Sequence, residues 1–315
     1  MNMNKSIMIT GANSGIGKEV ARQLALLEGT EKVYLACRNA DKAVAAKTEL
    51  EKQTGKNVFE IILMNVADPA AVRIAVASLH EPIDALIMNA GGGGKDPMAL
   101  TKEGVTEIFA ANVLGHVVLL EELIKRHLLN KVALYVGSEA SRGIPKMKMK
   151  RPELMTSSVE EFETLINGSY FHDRKEDGAL AYGQVKYVGE MWLSSMARKH
   201  PEIKMISMSP GSTQGTRTAD SFSPVFRFFY NHLLMPFLFP LMGLSHKLEI
   251  GAKRIIDGIS NANFKSGVFY GSGADVLTGP VVDQSTIFPD LKNEAYQDNA
   301  YEAIRRHLED QKVIN

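Results

Sequence analysis

Tyr182 and Lys186 stand four residues apart in Ala181-Tyr182-Gly183-Gln184-Val185-Lys186, at the start of a segment whose pattern predicts a helix to about His200. That spacing puts both side chains on one helix face. An ammonium beside a phenol favours the phenolate and would lower the tyrosine pKa from its reference of about 10 toward working pH. A phenol tuned in this way can exchange a proton with a carbonyl or alcohol oxygen. Ser138 ends a predicted strand over Lys131–Gly137, and parallel sheets gather their chemistry at the carboxyl edge. Ser141 is a second hydroxyl nearby, but Ser138 fits the strand end better. A Y-x-x-x-K spacing is common by chance, so these residues need partners elsewhere in the chain.

The first partner is a glycine loop. A strand-like run over Lys5–Thr10 leads into Thr10-Gly11-Ala12-Asn13-Ser14-Gly15-Ile16-Gly17-Lys18 and then a helical stretch over Glu19–Leu27. The glycines permit a tight turn and close backbone approach, and the helix N-terminus offers unpaired N–H groups to a pyrophosphate. The spacing is G-x-x-x-G-x-G rather than G-x-G-x-x-G. At the end of the second strand, where an acid would select NAD, the chain has Ala36-Cys37-Arg38-Asn39 and no carboxylate before Asp41. Arg38 can pair with a 2′-phosphate through its planar fork, so the cofactor is expected to be NADP. A solvated surface arginine is the alternative for that residue.

Seven strand-like runs position these groups: Lys5–Thr10, Lys32–Cys37, Val58–Met64, Ile83–Asn89, Lys131–Gly137, Ile203–Met208 and one near Gly267–Tyr270. Between them apolar residues recur at helical spacing, as in Val105, Ile108, Phe109, Val113, Leu119, Leu120 and Leu123. Alternation of this kind predicts an α/β fold, a doubly wound parallel sheet of the Rossmann type with about seven strands and helices on both faces. The whole chain, 1–315, is expected to be one domain. Two stretches interrupt the rhythm: a polar, lysine-rich insertion at about 142–178 with a helix around Val159–Ile166, and a segment at about 212–246. Loops of that length in a compact domain are usually functional.

With these elements in place, the chain resembles the short-chain dehydrogenase/reductase family over essentially its whole length. Thr10–Gly17 is similar to that family's T-G-x-x-x-G-x-G, Asn89-Ala90-Gly91 to its N-A-G, and Asn112 to its helix asparagine. Ser138 resembles its strand-end serine, Tyr182 and Lys186 its Y-x-x-x-K, and Pro210-Gly211 its P-G after the sixth strand. The resemblance implies a role for each catalytic residue. Tyr182 would be the proton donor in reduction, and Lys186 would lower its pKa and hold the nicotinamide ribose. Ser138 would polarise the carbonyl, and Asn112 would anchor a water that relays protons to Lys186. It also implies cofactor contacts from Gly11, Asn13, Ser14, Gly15, Ile16, Gly17, Arg38, Asn65, Val66, Asn89, Ala90, Gly91, Tyr182, Lys186, Pro210, Gly211 and Thr213.

Asn65 stands where the family usually has aspartate near the adenine, and Gly92-Gly93-Gly94 extends the N-A-G loop. The long Ser138–Tyr182 gap is similar to that of carbonyl reductases and of the retinol dehydrogenase and protochlorophyllide reductase branch. Phe222, Phe226, Phe228, Phe229, Tyr230, Phe237 and Phe239 crowd the segment where the family carries its substrate lid. Such a lid suits a sizeable apolar carbonyl compound, ordinary packing or a dimer contact being the alternative. Pro224, Pro236, Pro240 and Arg227 break the stretch, so no integral membrane segment is expected.

Composition sets outer limits. Lys+Arg and Asp+Glu are equal at 36 each, giving no electrostatic reason for a nucleic-acid partner. The one cysteine, Cys37, cannot form an intramolecular disulfide. Together with a first apolar run at Lys5 beside the glycine loop, this leads us to expect a cytoplasmic protein. The eight histidines lack H-E-x-x-H spacing and no metal is expected; His116, one turn after Asn112, reads as structural. The partner is then a small carbonyl or alcohol. Homo-oligomerisation through the helices bearing Asn112 and Tyr182 stays open, as do two rival functions, an NAD-linked alcohol dehydrogenase and a dinucleotide-binding regulator without turnover.

Overall fold

The structure is a computed structural model that describes residues 4–93, 96, 98–145, 149–171, 178–214 and 239–314. Its strands are β1 (Ser6–Thr10), β2 (Lys32–Cys37), β3 (Phe59–Leu63), β4 (Ile83–Met88), β5 (Leu129–Val136), β6 (Lys204–Met208), β7 (Phe269–Ser272) and β8 (Val281–Asp283). They form one sheet in the order β3-β2-β1-β4-β5-β6-β7-β8. The first seven are parallel, and β8 pairs antiparallel with β7. The eighth strand adds to the seven expected from sequence. It is three residues long and sits at the sheet edge, too short to show a burial period.

Alternate residues of each strand feed opposite cores. Ile7, Ile9, Val33, Leu35, Ala85, Ile87, Leu134 and Val136 pack on one face with Val20 and Leu24 of α1 (Gly15–Ala25). Met8, Tyr34, Leu86, Met88, Ala133 and Tyr135 face the other way, toward helices α5 (Gly115–Lys125) and α7 (Gly178–Lys199). Burial on both faces is why these strands read as continuous apolar runs. The remaining helices are α2 (Ala40–Thr54), α3 (Pro69–Ala77), α4 (Glu107–Phe109), α6 (Val159–Asn167), α8 (Phe239–Leu241), α9 (Leu248–Ser260) and α10 (Glu294–Ile314). Between α4 and α5 the chain widens into a π-helical segment, Ala110–Leu114, which contains Asn112.

The polar insertion builds a layer of its own. Its helix α6 is capped by Ser158, whose hydroxyl accepts from Glu161 N, while the Glu161 carboxylate accepts from the N–H groups of Met155, Thr156 and Ser157 at 2.8 Å each. Phe162, Leu165 and Ile166 are buried, each contributing about 1.5–3 kcal/mol. Tyr187 of α7 stacks on Phe162 at 6.3 Å and on Phe288 at 5.5 Å. From the C-terminal side, Asp298 of α10 accepts from Ser195 at 2.6 Å and pairs with Arg198. The chain's own α6 and α10 thus pack against the helix that carries Tyr182, one of the two helices considered above as an oligomer contact.

Candidate active site

Four adjacent strands, β1, β4, β5 and β6, deliver their carboxyl ends to one edge. In order they bring the Gly11–Gly17 loop, Asn89-Ala90-Gly91, Ser138 and Pro210-Gly211. Chain direction across the sheet reverses between β1 and β4, the switch point at which open α/β sheets leave a crevice for ligands.

The glycine loop has the features of an anion cradle. Ser14, before α1, makes no side-chain cap, and the first turn of that helix holds no acid. Its leading N–H groups are therefore not taken by the protein's own carboxylates. Gly15 adopts φ +55° and faces open space, whereas the loop behind it is fixed. Thr10 Oγ1 accepts from Asn89 N and Ala90 N at 2.8 Å each, and Asn89 Nδ2 donates to Thr10 O at 2.9 Å. The loop N–H groups of Ala12 and Asn13 reach the Cys37 sulfur, although burial still pushes that thiol up to about 11. These residues fit a dinucleotide pyrophosphate.

Arg38 follows β2 and is exposed, with no ion pair found among the described residues. Asn39 caps α2 through its contact from Lys42 N at 2.8 Å. Asn65 turns the chain into α3, its side chain accepting from Ala67 N at 3.3 Å; Val66, beside it, packs against the core. Thr213 is buried and bridges to His246, whose Nε2 donates to Pro210 O at 2.8 Å.

Ser138 is held on three sides. Its N–H donates to Glu190 Oε1 at 3.0 Å, its carbonyl accepts from Ser141 Oγ at 2.9 Å, and its hydroxyl accepts from Ala140 N at 3.2 Å. The same hydroxyl hydrogen-bonds Tyr182, which is partly exposed. Lys186 is buried; its Nζ donates to Val136 O at 3.0 Å and lies 4.7 Å from the Tyr135 ring centroid and 5.7 Å from that of Tyr182. Ser138, Tyr182 and Lys186 therefore lie together at the carboxyl end of β5.

The electrostatics depart from expectation. Burial, the largest cause, pushes the Tyr182 phenol up to about 12, against the Ser138 hydrogen bond and with help from Glu190 and Glu139. Burial likewise brings Lys186 down to about 8, with Glu190 opposing. The expectation that the ammonium lowers the tyrosine is thus corrected: loss of water raises the phenol, and Lys186 is not among the groups that shift it.

Asn112 serves the backbone. Its Nδ2 donates to Ile108 O at 2.8 Å and Gly92 O at 2.9 Å, and its Oδ1 accepts from Gly92 N at 3.0 Å. This ties the π segment to the loop after β4, where Gly91 has φ +151° and a Cβ would meet Asn112 Oδ1 at 2.3 Å. Asn112 O also lies within hydrogen-bond distance of Tyr135 OH (3.2 Å) and His116 Nδ1 (3.0 Å), and His116 Nε2 is 3.0 Å from Thr10 Oγ1. Burial lowers His116 to about 4, so the ring is neutral and structural, linking α5 to β1. Sequence reading missed Glu190 and Tyr135. Glu190 carried a signal, because it repeats the four-residue step from Tyr182 through Lys186.

Of the stretch Phe222–Leu241, expected from sequence to be a lid, only Phe239, Pro240 and Leu241 fall within the described residues; Phe222, Phe226, Phe228, Phe229, Tyr230 and Phe237 lie outside them. No helix among the described residues is long and apolar enough to cross a membrane.

Residues 5–138 match the family model described as short chain dehydrogenase. A short-chain dehydrogenase/reductase of Armillaria gallica is 31% identical over 258 residues, 78% of this chain and 76% of its own. Dehydrogenase/reductase SDR family member 12 of Bos taurus is 29% identical, and the match covers 68% of this chain but only 62% of that relative. Retinol dehydrogenase 11 of Mus musculus is 24% identical over 82% of this chain and 77% of its own. Among solved structures, NADPH-bound carbonyl reductase from chicken fatty liver shares the fold with a TM-score of 0.57 at 18% identity, over 88% of this chain and 99% of its own. Salutaridine reductase from Papaver somniferum does so at 0.60 and 19%, over 85% of this chain and 100% of its own.

Proposed function

The chain belongs to the short-chain dehydrogenase/reductase family, and we propose that it is an NADP(H)-dependent reductase that converts a sizeable apolar ketone or aldehyde to the alcohol. The observation that carries this reading is the meeting of Ser138, Tyr182 and Lys186 at the sheet edge beside the glycine loop. The loop Gly11–Gly17 and the start of α1 would hold the pyrophosphate, Arg38 the 2′-phosphate, and Lys186 the ribose hydroxyls. When bound, the nicotinamide supplies the hydride that goes to the carbonyl carbon.

The protein's own part is the proton. Ser138 offers its hydroxyl to the carbonyl oxygen and fixes the substrate against Tyr182. With its pKa pushed up to about 12, Tyr182 is a neutral phenol at working pH, the state that reduction requires of a donor. Lys186, at about 8, is an ammonium below that pH and stabilises the phenolate left after transfer. We place the protein in the cytoplasm, in keeping with its single cysteine.

A screen of ketones, aldehydes and quinones with NADPH and with NADH, followed by nicotinamide absorbance, tests the proposal. NADPH-dependent reduction of at least one bulky carbonyl supports it. Turnover restricted to alcohol oxidation with NAD would transfer the assignment to the dehydrogenase alternative.

A further inference from the structure

Glu190 lies one helical turn beyond Lys186 and two beyond Tyr182 on α7, so the three share one face of the helix. It is 1% exposed. Its Oε1 accepts from the main-chain N–H of Ser138 at 3.0 Å. The space it occupies is made by Gly137, where a Cβ would stand 2.7 Å from Oε1. A carboxyl group has therefore been brought into the interior directly behind the strand end that presents the serine. A buried carboxylate without compensation is strongly disfavoured, so such a group takes up a proton or finds a cation.

We propose that Glu190 is a positioning residue for the reductase: it anchors Ser138 through the main chain and, by binding or releasing one proton, sets the charge of Lys186. This rests on the catalytic assignment made above. Among the described residues, the Ser141 hydroxyl and Ser138 N–H favour the Glu190 carboxylate, and the titratable groups that interact with it are Lys186, Tyr182 and Tyr187 on its own helix and Tyr135, Glu139 and Arg142 across from it. Arg142 donates to Gln284 and to the carbonyls of Gly143, Ser272, Gly273 and Ala274. Glu139 accepts from Ser209 and from Ser272 N. Arg142 is thus spent on its own acceptors across the sheet edge, whereas Lys186 is the cation one turn from Glu190 on the same helix face.

Burial pushes Glu190 up and Lys186 down, while each charge opposes the other's shift. Two buried groups that shift each other titrate as a pair. As pH rises, the carboxylate that forms at Glu190 holds the proton on Lys186. The ammonium then persists to a higher pH than it would beside a neutral neighbour, and the phenolate of Tyr182 keeps its counter-charge.

Glu190→Gln tests this, because the amide oxygen can still accept from Ser138 N while the ionisation is gone. Infrared difference spectra of the unliganded protein between pH 6 and 9 should show a protonated-carboxyl band that disappears near pH 8. That band should be missing in Glu190→Gln and should titrate at higher pH in Lys186→Met, which removes the cation. In NADPH-dependent turnover, the alkaline limb of the pH profile should move down by about one unit in Glu190→Gln. A band that survives in Glu190→Gln, or a wild-type spectrum without one, overturns the proposal, as does an unshifted limb beside wild-type turnover. If the wild type reduces no carbonyl, the catalytic assignment fails instead, and the response of the infrared band to Lys186→Met still decides the coupling. A melting curve for each variant separates loss of fold from loss of the proton.

Discussion

At the scale of single residues, dehydration governs the pKa values of the buried Lys186 and Glu190 and of the half-buried Tyr182. Tyr182→Phe removes one hydroxyl and leaves the ring. NADPH affinity should survive while turnover falls by about two to four orders of magnitude, the usual worth of a general acid; titration and steady-state kinetics check both. Arg38 stands exposed with no ion pair among the described residues, which suits a residue waiting for an anion. Arg38→Asp should weaken NADPH relative to NADH by roughly tenfold or more, the equivalent of a charge-assisted contact of about 1.5–3 kcal/mol. Equal dissociation constants for the two cofactors in the wild type would remove the basis for choosing NADP. Asn112 differs from these, because its side chain is committed to Gly92 and Ile108.

At the scale of elements, the strand ends and α7 do the positioning, and most of this was legible in the sequence. Continuous apolar runs gave the strands because both faces of the sheet are buried, and Ser138, Tyr182 and Lys186 met because their motifs sit at strand end and helix start. What the sequence concealed has physical reasons. β8 is too short to carry a period, and the π turn at Asn112 depends on a contact with a loop twenty residues earlier. The sign of the Tyr182 shift depends on burial, which spacing does not report. The insertion looked like a polar loop because three buried side chains on α6 are few among its lysines. Phe162→Ala should therefore cost about 3–5 kcal/mol, since it empties a fully buried position against Tyr187. A thermal melt would show this, and an unchanged melting point would mean that α6 is an appendage rather than part of the core.

At the scale of the whole molecule, stability and activity both depend on the buried pair Lys186 and Glu190. Glu190 titrates at about 8 in the fold against an ordinary 4.5, so the folded protein holds more protons than the unfolded chain between those values and loses stability as pH rises through them. Lys186 titrates at about 8 against an ordinary 10.5, so the unfolded chain holds more protons from 8 upward and stability returns over that range. Other groups being equal, the melting temperature should dip near pH 8, and Glu190→Gln should flatten the fall on the acid side. Melting curves from pH 5 to 10 check this. The central claim is that Tyr182 delivers the proton in an NADPH-driven carbonyl reduction. Its most direct test is single-turnover oxidation of bound NADPH by a responsive bulky ketone, wild type against Tyr182→Phe, with NADPH affinity measured on both. The account predicts unchanged affinity and a hydride-transfer rate lower by about a hundredfold or more in the variant; equal rates for the two proteins would contradict it.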